Sequence, residues 1–177
     1  MERFWNIVHY FAYRINYYLH SAFNKIEPIG FLLKLLFLIP CVRKHYLKKG
    51  YTLKTLNEGF DEYLKRPDFG LSSVFAGGLM YALPFIFFTG LLFHYIAFSA
   101  EKPKSFAPIL IAMVLFLFIS FLFNGILLFR KDKYLNYFKE FDKKSRKWKI
   151  KWAWISAGVI LFPFTVLILS FIALQIS

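Results

Sequence analysis

The chain has 177 residues, 58% of them hydrophobic and 22% aromatic, above the ~45–50% apolar content of soluble domains. Its 23 Lys and Arg outweigh 10 Asp and Glu to give a formal net charge of +13, which in so apolar a chain points to membrane topology and anionic lipid before nucleic acid. The single cysteine, Cys41, excludes an intramolecular disulfide and a thiolate metal cluster.

Residues 1–27 carry polar side chains throughout, without the basic-then-apolar order of a cleavable leader, and are expected to stay as a helix. At about 100° per residue, Phe4, Val8, Phe11, Ile15, Leu19, Ala22 and Ile26 fall on one side. Glu2, Asn6, His9, Tyr13, Asn16, His20 and Asn24 fall on the other, with Arg3, Arg14 and Lys25 along one boundary. The pattern predicts an amphipathic helix lying on the membrane surface, its boundary cations reaching lipid phosphate. Pro28 and Gly30 then end it.

Five residues separate Arg3 from His9, and five separate Arg14 from His20. That spacing resembles the Arg–His signature of HEPN ribonucleases, in which Arg and His from two protomers cleave RNA; membrane-bound HEPN-like proteins also serve as pore-forming accessories of some CRISPR systems. The resemblance covers seven residues in each copy and implies a membrane-bound ribonuclease or defence accessory with Arg3, His9, Arg14 and His20 as catalytic candidates. The copies lie eleven residues apart, almost three whole turns, so the rhythm of an amphipathic helix gives the same spacing, and that is the reading preferred.

Between residues 28 and 70 the chain is mixed. Phe31 to Val42 is apolar but short, broken by Lys34 and Pro40, and reads as a re-entrant or interfacial segment, with a short fourth span as the alternative. Cys41 within it is expected to be a buried thiol, lipidation being the alternative. Arg43, Lys44, Lys48 and Lys49 form a juxtamembrane cluster expected to anchor on anionic lipid, with nucleic-acid contact also open. Thr52 to Lys65 reads as a second amphipathic helix, capped by Thr52 and stopped by Pro67.

Three segments, Leu71–Phe98, Phe106–Phe129 and Trp152–Leu174, have the ~20 apolar residues needed to cross a bilayer and must be helical to bond their own backbone. They hold no Asp, Glu, Lys or Arg, and His94 lies near an outer boundary, which argues against a single-chain ion- or proton-coupled transporter. Ser73 and Gly77 allow close helix approach, Pro84 and Pro163 are expected to kink their helices, and Ser120, Asn124 and Thr165 offer polar groups for packing or for lining a pore in an oligomer.

The link Arg130–Lys151 holds ten Lys or Arg against three acids, and Arg43–Arg66 holds seven against three, whereas Ser99–Ser105 holds only Lys102 and Lys104. The positive-inside rule then places everything before Leu71, together with the link, in the cytoplasm and Ser177 outside. Trp152 and Trp154 would sit at the cytoplasmic interface. Within the link, Tyr134, Phe138, Phe141 and Trp148 form an apolar stripe expected to pack on a neighbouring helix or lipid, and Lys143, Lys144, Arg146 and Lys147 are candidate lipid or partner contacts.

These readings describe an all-α, polytopic membrane protein: a surface helix over 1–27, a mixed segment over 28–70, and three spans over 71–177 with a basic link at 130–151. Frequent Phe, Tyr, Lys, Ile and Asn suit an AT-rich bacterial genome and an inner-membrane location. No soluble-enzyme motif, metal site or cofactor site is expected. Two functions lead: a homo-oligomer that forms or gates a pore, and an accessory scaffold whose basic cytoplasmic face docks protein, nucleic acid or anionic lipid. An enzyme ranks third.

Overall fold

Long uncharged runs leave the backbone only itself to bond with, and the described residues form helices and no strand. The computed structural model describes residues 1–25, 34–99, 103 and 105–176. In chain order the helices are α1 (Glu2–Lys25), a short turn at 34–38, α2 (Pro40–Lys48), α3 (Leu53–Lys65), α4 (Leu71–Phe98), α5 (Ala107–Asn124), α6 (Lys133–Asp142) and α7 (Arg146–Ile176). Three helices, α4, the run that begins with α5, and α7, are long and apolar enough to cross a membrane.

The chain divides into two compact units, one made of Met1–Ala12 and Gly77–Ser177, the other of Tyr13–Ala76. The division cuts through α1 and α4 and so runs across the segments read from the sequence. In the first unit, Val8, Met80, Leu83 and Leu128 form a buried cluster covered by Trp5, Leu79, Phe129, Val159 and Ile160. Helices α4 and α7 approach closely at Gly90, where an added Cβ would stand 3.1 Å from the Leu167 nitrogen and from Val166 Cγ1. Ser170 Oγ donates to the Gly90 carbonyl at 2.7 Å and, on its own helix, to Val166 at 2.7 Å. Across α4 and α5, the Ser120 hydroxyl donates to the Tyr81 carbonyl.

The second span ends in a bend that hydropathy does not announce. After Asn124 the chain widens into a π-helical turn, Gly125–Phe129, and then tightens into a 3₁₀ turn, Arg130–Asp132. Lys131 and Asp132 both take left-handed backbone angles, with φ of 57° and 51°. Each costs roughly 1–2 kcal/mol for a residue with a Cβ, so surrounding packing must hold the bend. Beyond it comes α6, where Tyr134, Phe138 and Phe141 of the predicted stripe are buried.

The second unit holds α2 and α3. Thr52 caps α3 as expected: its Oγ1 accepts from the Thr55 N–H at 3.2 Å, and its own N–H donates to Thr55 Oγ1 at 2.8 Å. This is a capping box with Thr in the place of the usual Glu or Gln. After α3, Gly70 is required, because a Cβ there would strike the carbonyl oxygens of Tyr63 and Arg66. Of the predicted apolar segment, residues 31–33 lie outside those described; Ile39 interrupts the helical turn at 34–38 before Pro40 opens α2. Cys41 is exposed, not buried as expected, because α2 presents no buried face.

Candidate functional site

The first three turns of α1 dock on the bend and on α6, and the reason lies in which groups the bend leaves open. A π turn shifts the backbone bonding by one residue, and the Leu127 carbonyl within it accepts from Asn6 Nδ2 at 3.0 Å. The same amide group also donates to the Glu2 carbonyl at 2.9 Å. From the residue before Asn6, Trp5 Nε1 donates to Asn124 Oδ1 at 2.8 Å, and Asn124 Nδ2 donates to the Ser120 carbonyl at 2.9 Å. Tyr10 donates its hydroxyl to Asp142 Oδ1 at 2.6 Å. The seven residues from Asn6 to Ala12 are all buried. This half of the helix is therefore enclosed by protein on the face read as polar as well as on its apolar face.

Charges tie down the rim. Glu2 pairs with Lys133 at 3.0 Å and accepts from the Tyr137 hydroxyl at 3.3 Å. The Lys133 hydrogen bond holds the Glu2 carboxyl below its ordinary pKa. Arg3 meets Glu140 at 2.6 Å, and Lys144 meets the same carboxylate at 3.1 Å. Thus Glu2, Glu140 and Asp142 are all engaged inside the unit. Lys143, Arg146 and Lys147 are exposed and form no ion pair among the described residues.

His9 sits at the centre with none of its surface exposed. Its ring lies 5.7 Å from Phe129, 5.3 Å from Tyr134 and 5.2 Å from Phe138. Neither ring nitrogen has a hydrogen-bond partner among the described residues. Desolvation pushes its pKa down to about 3, so the imidazole is neutral across the physiological range.

The ribonuclease candidates fall in both units and are described one unit at a time. Arg3 reaches Glu140 while His9 is sealed in its aromatic box, so the first Arg–His pair offers no shared, accessible face. In the other unit, Arg14 lies over the Tyr17 ring at 5.9 Å; the side chain of His20 lies outside the described residues. Of the packing candidates, Ser73 is buried, and the missing side chain of Gly77 makes room for the Phe129 ring at 3.3 Å. Ser120 and Asn124 are buried and bonded within the chain. Thr165 is exposed and bonds its own helix at Leu161. Pro84 and Pro163 line one cavity. Arg43, Lys44 and Lys48 of α2 and Lys49 just after it are exposed, and the helix has no acids in its first turn.

Sequence reasoning singled out neither the Trp5 and Asn6 anchors nor the Gly90–Ser170 contact. A tryptophan one turn inside the chain, and a glycine in the middle of a span, were the available signals. Among the described residues, no three His, Cys, Asp or Glu side chains gather as a metal would require. Compared with family models, curated proteins and solved structures, the chain matches none.

Proposed function

We propose that this protein is a multi-pass membrane scaffold whose basic face, built on the docked head of α1, on α6 and on the start of α7, holds an anionic partner at the membrane surface. One observation carries the proposal: Glu2 and Glu140 are held in ion pairs and Asp142 accepts from Tyr10, while Lys143, Arg146 and Lys147 are exposed and form no ion pair among the described residues. The left-handed bend and the buried aromatic stripe make the layer a fixed platform for those charges. The charge distribution of the loops supports an inner-membrane orientation with residues 130–151 in the cytoplasm and Ser177 outside.

The full chain reconstituted in phosphatidylcholine vesicles tests this with a fluorescent polyglutamate peptide and, separately, phosphatidylglycerol vesicles as probes. Wild-type protein should capture at least one probe in a salt-sensitive manner. The K143Q/R146Q/K147Q variant should bind it roughly tenfold more weakly or worse. Equal binding by both proteins would end the proposal.

A homo-oligomeric pore takes second place. The two polar residues best suited to line it, Ser120 and Asn124, already spend their groups on Tyr81, Trp5 and the α5 backbone. Dye release from the same vesicles, with oligomeric mass measured in detergent, would restore that reading if a defined oligomer leaked.

A further inference from the structure

Pro84 and Pro163, each inside its own helix, together line one cavity of about 340 Å³, between α4, α5 and α7, with the Trp5 indole forming part of its wall. That volume lies within the ~300–1,000 Å³ of ligand pockets. Phe87, Phe123 and Leu83 supply further wall, and the lining holds no charge. Its one N–H donor at a side chain, Trp5 Nε1, is already given to Asn124 at 2.8 Å. A polar ligand or water would find nothing to bond there, and apolar cavities of this kind stay dry or take apolar guests.

Depth and mouth identify the guest. Pro84 lies thirteen residues into α4, about 20 Å along its axis at ~1.5 Å per residue. Two lining residues, Ile119 and Phe162, are 47% and 57% exposed, so the cavity opens on the apolar outer surface of the spans. With α4, α5 and α7 crossing a bilayer, that mouth faces hydrocarbon. Bulky Ile119 and Phe162 there disfavour the close helix approach that small residues permit. A flexible acyl chain needs no small-residue face to enter. We infer that this cavity is a binding site for one acyl tail of a bilayer lipid, seated between the two prolines and against the Trp5 ring.

The test uses Trp5 as reporter in the full chain carrying W148F, W152F and W154F. The protein is reconstituted in phosphatidylcholine brominated at mid-chain or left unbrominated. Contact with a seated tail should quench Trp5 roughly twofold in the brominated vesicles, because a pocket of this class buries most of its guest. Two obstructing substitutions from different helices, V159F in the wall and I119F at the mouth, should restore most of that emission, with helicity and unbrominated emission unchanged. Quenching that survives both substitutions would overturn the inference, because Trp5 would then be meeting lipid elsewhere. Unquenched Trp5 at high dilution in lipid would overturn it as well, leaving an empty cavity. Quenching that appears only on such dilution would assign the site to a second copy of the chain and overturn it too.

Discussion

A histidine buried without a polar partner is a liability that pH exposes. In the docked state His9 refuses a proton until about pH 3, whereas a released chain accepts one near the ordinary 6.5. The released state therefore binds more protons between those values, and docking loses stability as pH falls through that window. At about pH 5 the loss amounts to about 2 kcal/mol. Melting curves at neutral pH and at about pH 5 should separate clearly for wild type. His9→Phe, which keeps a ring in the box and removes the titration, should bring them close together. Glu2 adds a further limb at lower pH: its carboxyl is held below 4.5, so its contribution is present above that value and fades as pH falls through its lowered pKa. A wild-type melting point that does not fall between neutral pH and pH 5 would refute the closed aromatic box. The sequence hid this residue for a physical reason. A helical wheel sorts side chains by polarity, so Asn6 and His9 went to the solvent side, but the wheel cannot see a bend elsewhere in the chain that covers them.

At the scale of elements, the helices were legible and their junctions were not. The bounds of α4 agree with the uncharged run Leu71–Phe98, and Thr52 caps α3 where hydroxyl chemistry and a following amphipathic stripe said it would. The π turn went unseen because Gly125–Phe129 is as apolar as the span before it, and hydropathy does not distinguish one backbone register from another. Yet that turn presents the carbonyl taken by Asn6, and Asn124 just before it holds Trp5. Asn124→Ala should leave the Trp5 N–H unpaired in an apolar wall and lower stability by about 1–2 kcal/mol. A double-mutant cycle with Trp5→Phe, read by thermal melting, should show the two losses to be strongly non-additive. Additive losses would mean that the pair does not anchor α1. An unchanged melting point together with altered ion conductance is what a pore-lining Asn124 would give instead.

For the whole molecule, charge and hydropathy together carry the argument, because three apolar helices and two basic stretches constrain how the chain threads a bilayer. Seven Lys or Arg between Arg43 and Arg66 and ten between Arg130 and Lys151 stand against two lysines in Ser99–Ser105. Were α4, α5 and α7 the only crossings, the residues before α4 and those after α7 would lie on opposite sides. The exposed Cys41, alone of its kind in the chain, makes this measurable without adding a reporter. A membrane-impermeant maleimide should label Cys41 in inside-out vesicles and leave it untouched in intact cells. In a Cys41→Ser background, Ser105→Cys, between the first two spans, should show the opposite pattern. The same labelling guards the scaffold proposal, since neutralising Lys143, Arg146 and Lys147 removes charges that also set orientation. If the neutralised variant keeps the wild-type labelling and loses its anionic probe, the lost binding belongs to the basic face. Labelling of Cys41 from both sides would mean that the loop charges do not fix a single orientation, and the platform would have no defined side on which to receive a partner.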